Sequence, residues 1–177
     1  MRKAKLTALC GMMTALSVVL MALTTFLPVL MYVLPIITGV AVLVVADVSN
    51  KKWGAGVYFA TAILSLLLIT DKETALTYTL FFGYYPLVRG IILKLPKAFS
   101  WAVRLVLFNC SAVLIGFSGV YVLGLSAEEY SEFGKATIPI LLGLSNVVFL
   151  MYDSILTKWN IVFSALSKRI KKILKGL

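Results

Sequence analysis

Few residues of this chain could do chemistry, and those that could stand in apolar surroundings. Asp153 lies in the run Ala136 to Leu156, Arg89 near the downstream end of Ala75 to Leu93, and Arg104 near the start of Phe99 to Leu125. An ionisable group placed in hydrocarbon is costly, so it takes a partner or a function. Asn109 and Asn146 add two amides, and Tyr32, Tyr78 and Tyr121 add phenols. There is no histidine, and Cys10 and Cys110 stand alone in apolar runs. The usual ligand sets for zinc, haem and iron–sulfur clusters are therefore missing, and the two thiols are expected to be free and buried, packing as small hydrophobes. The phosphate-binding G-x-x-x-x-G-K-[ST] loop, the H-E-x-x-H helix and the G-x-S-x-G elbow are all absent. The chemistry on offer is ion pairing, amide hydrogen bonding and aromatic stacking, so the expectation is a protein that is not an enzyme and carries no cofactor or metal.

The elements that must position these groups emerge from composition. Of the 177 residues, 61% are hydrophobic and only 14% charged. A soluble domain is about half apolar and a quarter charged, so the chain reads as an integral membrane protein. A hydrocarbon core of about 30 Å needs about 20 apolar residues per helix. Six runs come near that length: Leu6 to Phe26, Leu30 to Ala46, Gly54 to Ile69, Ala75 to Leu93, Phe99 to Leu125 and Ala136 to Leu156. The second and third are short and must extend through their flanks or lie in thinned bilayer. The expected fold is all-α, a compact bundle of six transmembrane helices forming one domain over residues 1–177. The opening "MRKAK" precedes too long an apolar run for a signal peptide, and the first run is read as a retained helix.

Charge sets the orientation. With six crossings, Arg2, Lys3, Lys5, Lys51, Lys52, Arg89, Lys94, Lys97, Arg104, Lys158 and the basic residues from Lys168 to Lys175 share one side, while Lys72 and Lys135 fall opposite with Asp71, Glu73, Glu128, Glu129 and Glu132. Excess Lys and Arg marks the cytoplasmic side. Both termini are therefore expected in the cytoplasm, and the net charge of +10 faces anionic lipid rather than nucleic acid. The tail "FSALSKRIKKILKGL" puts Phe163, Leu166, Ile170 and Ile173 on one face and lysines on the others. It predicts an amphipathic helix over about 161–177 lying on the inner lipid surface.

Depth then pairs the charges. At about 1.5 Å per residue, Arg89 lies about 21 Å into its run from Ala75, and Asp153 about 25 Å into its own from Ala136. Asp153 is expected to pair with Arg89, or with Arg104 at the cytoplasmic start of the fifth span. In "YTLFFGYYPLVRGIILK", Pro86 removes a backbone donor and predicts a kink. The stripe Pro139, Gly143, Asn146, Asp153, Thr157 and Asn160 is expected to face protein, and Asn109, Ala112, Gly116 and Gly119 to form a close-packing face. In the first run, Thr7, Gly11 and Ala15, with Ala8 beside them, mark a surface suited to another helix. Toward the outer side lie Tyr78, Tyr121 and Asn146, with Tyr32 in the first outer loop. These read as interface anchors or as the wall of a small-molecule pocket, and Asn109 can bond either a helix or a ligand.

The short basic start leading into "KLTALCGMMTALSVVLM", the proline-containing loop "FLPVLMYVLP" and six runs in a short chain resemble the substrate-binding S component of energy-coupling factor (ECF) transporters. The resemblance implies a bacterial importer subunit in the plasma membrane. Such a subunit captures a vitamin or other small nutrient from outside and works with a transmembrane coupling protein and two ABC ATPases. It assigns Tyr78, Tyr121, Asn146 and Asn109 to the ligand, the loop around Tyr32 to a lid, and Thr7, Ala8, Gly11 and Ala15 to the coupling interface. The family's Ala-x-x-x-Ala surface is replaced here, Ala8 being followed four on by Met12 and Gly11 by Ala15. A competing expectation is a structural or assembly scaffold of the cell envelope. A channel is disfavoured, because the ring of charges or carbonyls that an ion pathway needs is missing.

Overall fold

The structure is a computed structural model that describes residues 2–121 and 137–175, with side-chain environments for 3–27, 29–121 and 139–158. Among the described residues every regular element is helical: α1 (Arg2–Ala22), α2 (Val33–Val48), α3 (Lys51–Leu68), α4 (Lys72–Thr77), α5 (Tyr85–Ile92), α6 (Lys97–Tyr121) and α7 (Thr137–Lys175). Local signals explain the starts. Asn50 caps α3, its side chain accepting from the amides of Lys52 and Trp53 at 3.0 and 3.2 Å. Asp71 caps α4 by accepting from the Thr74 amide at 3.2 Å. Pro35 is tolerated in the first turn of α2, where an amide would have had no helical acceptor. At the other end of α3, the Lys72 ammonium donates to the carbonyls of Leu66 and Ile69 at 2.7 and 2.8 Å, closing a helix terminus that lacks backbone donors.

The fourth apolar run is where the structure departs most from a simple span. Rather than one kinked helix, it is α4, a π-helical turn (Tyr78–Phe82) and α5. Pro86 has no amide to give the Phe82 carbonyl, and the backbone adjusts upstream: the Gly83 amide reaches back five residues to Tyr78 O at 2.8 Å. Tyr58 on α3 donates its hydroxyl to Thr79 O at 2.9 Å, and α2 makes room for Phe82. A Cβ at Gly39 would collide with Phe82 O, and one at Gly83 would stand 2.6 Å from the Tyr58 ring. Two glycines thus let backbone and ring close on the irregular turn.

The turn joins two cores. One packs Met21, Val42, Val45, Val57, Ala62, Ile69 and Tyr78 between α1, α2 and α3; the other packs Phe81, Phe82, Tyr85, Phe108, Phe149, Tyr152 and Leu156 against α6 and α7. In the second, Phe108 and Phe149 stack with ring centroids 4.7 Å apart, and Phe81 stacks on Tyr85 at 4.8 Å. The outside is apolar too: Val106, Val113, Leu114, Phe117, Leu144, Val147 and Met151 are exposed. Three helical stretches, Lys3–Thr25, Lys97–Tyr121 and Pro139–Lys158, are long and apolar enough to cross a membrane, and Val33–Val48 is a shorter apolar helix.

Two expectations are refined and one is overturned. The tail is helical to Lys175 as the continuation of α7, with no breaker between them; which way the side chains beyond Lys158 point lies outside the described residues. The small-residue stripes of α6 and α7 pack only in part: Gly119 is buried and Ala112 lies against the second core, whereas nothing comes within 4 Å of a Cβ at Gly116 or Gly143, and Pro139 and Gly143 are exposed. Small residues permit approach without supplying attraction, and the attraction here comes from the aromatic layer and polar bonds further along. Finally, Cys10 is half-buried and Cys110 exposed, both free, so Cys110 faces outward rather than packing inside. The segment with Glu128, Glu129, Glu132 and Lys135 lies outside the described residues.

Candidate functional site

Asp153 on α7 is the hub of a buried charged cluster. Its Oδ1 accepts from Arg89 Nε at 2.7 Å and from the Tyr85 hydroxyl at 2.6 Å, and its Oδ2 accepts from Arg104 Nη1. The alternative left open by the sequence, Arg89 or Arg104, resolves as both at once. Arg89 extends the cluster along α7 through Nη2, which donates to Thr157 Oγ1 at 2.5 Å and to Asp153 O at 3.4 Å. Arg104 Nε donates to Ser100 O at 3.2 Å, and its guanidinium lies 5.7 Å from the Trp101 ring centre. Both arginines are more than nine-tenths buried.

Helical spacing makes this possible. Tyr85 and Arg89 are four apart on α5, Ser100 and Arg104 four apart on α6, and Asp153 and Thr157 four apart on α7, so each pair shares a face. Sequence reasoning misses Tyr85, Thr157, Ser100 and Trp101 as partners of the charges, although the four-residue step from an ion to Tyr85, Thr157 or Ser100 is a usable signal. The carboxylate is committed to three donors, and no group of potential metal ligands occurs among the described residues. The cluster holds three elements together and carries no nucleophile and base pair.

A second polar contact joins α6 to α7. Asn109 Nδ2 donates to Asn146 Oδ1 and Asn146 Nδ2 to Asn109 Oδ1, both at 3.0 Å. The remaining hydrogens go to Leu105 O at 2.9 Å and Leu142 O at 2.7 Å. Each amide hydrogen is thereby used between or within the two helices, so Asn109 bonds a neighbouring helix here and Asn146 keeps no unused donor.

The other residues expected around a ligand do not gather there. Tyr78 is fully buried in the first core, its hydroxyl without a hydrogen-bond partner among the described residues. Tyr121 is 74% exposed and stacks on Phe117 of its own helix at 4.3 Å. Tyr32 donates to Glu73 Oε1 at 2.8 Å, tying the first connection to the start of α4. Depth along a run is fixed by counting residues, but the side of the helix is not, and the π-turn shifts that side within the fourth run. On α1, by contrast, Thr7, Ala8, Gly11 and Ala15 share an exposed face with Met12, Leu16 and Val19, and nothing lies within 4 Å of a Cβ at Gly11. No family model matches the chain, and neither does any curated protein or solved structure.

Proposed function

We propose that this chain is a multi-pass membrane subunit with both termini in the cytoplasm, and that it serves as the substrate-binding S component of an ECF-type importer for a small organic nutrient. The observation that carries the reading is the open face of α1. This helix presents Thr7, Ala8, Gly11 and Ala15 outward, where another membrane helix can approach closely. That is the place the resemblance assigns to the coupling protein. Nucleotide hydrolysis would fall to the ATPase partners, in keeping with the absence of a phosphate-binding loop. Six helical segments, with the fourth broken at the π-turn, would form the spans.

Reconstitution with an energy-coupling module tests this. The native chain is expected to co-purify with the module and to carry a small molecule identifiable by mass spectrometry. Gly11→Leu is expected to abolish the association while leaving the chain folded, and retention of the complex by that variant would remove the assignment.

A second reading, an assembly scaffold of the cell envelope, is favoured by one observation: the polar residues expected to meet a ligand are satisfied internally or packed in the core. A thermal-shift panel of vitamins separates the two. Stabilisation by one compound supports capture; none, with envelope proteins retained on purification, supports the scaffold.

A further inference from the structure

The charged cluster has a surplus. Two guanidinium groups face one carboxylate, which among the described residues leaves one positive charge uncompensated on side chains that are nearly buried. Arg89 engages α7 through Nε and Nη2, and Arg104 engages Ser100 and Asp153 through Nε and Nη1. Arg89 Nη1 and Arg104 Nη2 have no acceptor among the described residues, yet neither is among the polar atoms sealed from the outside without a partner. A buried cation with unused donors calls for an anion, and guanidinium edges suit phosphate oxygens in a two-pronged arrangement.

The surroundings specify the kind of anion. The connection from α5 to α6, with the helix ends beside it, carries Ile91, Leu93, Leu95, Phe99 and Trp101, all exposed and apolar. A water-soluble phosphate would have no use for that flank, whereas acyl chains would. The same connection carries the exposed Lys94 and Lys97, and Lys51 reaches α5 to donate to Leu87 O at 3.1 Å. A headgroup with its own cation would meet repulsion from this rim, and one with a net negative charge would not. We propose that Arg89 and Arg104, poised by Asp153, form a binding site for the phosphate of an anionic phospholipid, with the acyl chains lying along the Phe99 and Trp101 side of α6. The site is separate from the α1 face, and it holds whether the chain captures a nutrient or organises other proteins.

The test uses the full chain in nanodiscs of phosphatidylcholine, alone or doped with phosphatidylglycerol, and in detergent with inorganic phosphate. Phosphatidylglycerol is expected to raise the unfolding temperature and to stay bound in native mass spectrometry; phosphatidylcholine and inorganic phosphate are not. Arg104→Gln leaves a neutral Arg89–Asp153 pair but loses the Arg104 bond to Asp153, so its unfolding temperature in phosphatidylcholine is expected to fall. Measured from that lower baseline, it is expected to hold phosphatidylglycerol about tenfold more weakly, the loss of one charge-assisted bond. Arg104→Lys, which keeps the charge but loses the fork, gives the same readout at intermediate strength where the glutamine variant does not accumulate. Asp153→Asn doubles the surplus and is expected to bind the lipid more tightly even as it weakens the fold, an opposition that a purely structural cluster would not produce. Equal stabilisation by the two lipids, an undiminished shift in both Arg104 variants, or inorganic phosphate reproducing the whole effect would each overturn the assignment.

Discussion

Two polar seams tie α6 to α7, and they are built on opposite terms. The Asn109–Asn146 clasp is neutral and reciprocal, and every amide hydrogen is used inside it. The Asp153 cluster is charged, joins three elements, and pairs one acid with two bases. A closed set of donors and acceptors fixes register and asks nothing of the environment. An unbalanced one fixes register and also leaves a demand that something outside must meet. Within one pair of helices, then, the clasp belongs to architecture and the cluster is where the surroundings can be felt.

The sharpest way to break this contrast is at the cluster's hub. Asp153→Ala strands two buried guanidinium groups and is expected to cost about 3 to 5 kcal/mol, seen as a large fall in unfolding temperature in detergent or as loss of folded protein. Little change would mean that water already shields both arginines. At the clasp, Asn146→Leu leaves one amide unpaired. The expected cost is smaller, about 1 kcal/mol, between the average for hydrogen bonds inside membranes and the penalty for an orphaned buried group. Tyr85→Phe removes one of three donors to Asp153 and is expected to cost about 0.5 to 1 kcal/mol, since both arginines remain. The smallest effect sharpens the comparison most: Asn109→Leu combined with Asn146→Leu removes both halves of the closed set, and the double variant is expected to recover to within about 0.5 kcal/mol of the native chain. A double-mutant cycle measures that coupling directly; costs that simply add would show that the two amides do not act as a unit.

Much of the frame is legible in the sequence, because composition and charge depend on residue type and not on how helices turn. The apolar runs form helices, and counting depth along them brings Arg89 and Asp153 to one level, with Arg104 close to the start of its own run. Azimuth is the part that cannot be counted. Tyr78 is at the depth of an outer pocket but points into the core formed with Met21 and Val57. The π-turn at Tyr78–Phe82 breaks the helical register on which faces are assigned, one extra residue rotating the downstream helix by about 100°. Tyr85 is hard to recognise as a partner of Asp153, because a phenol in an apolar run reads as an aromatic anchor. The pairing of Asn109 with Asn146 is open to inference from the two polar stripes, but a stripe shows only that a face is occupied, not by what.

The length of α7 carries one more implication. At 39 residues it measures about 58 Å, nearly twice the thickness of a bilayer's hydrocarbon interior. The residue that grips Arg89 and Arg104 and the carboxyl-terminal turns therefore belong to the same rod. A displacement of α7 at Asp153 thus meets no break at which it could be absorbed before Lys175.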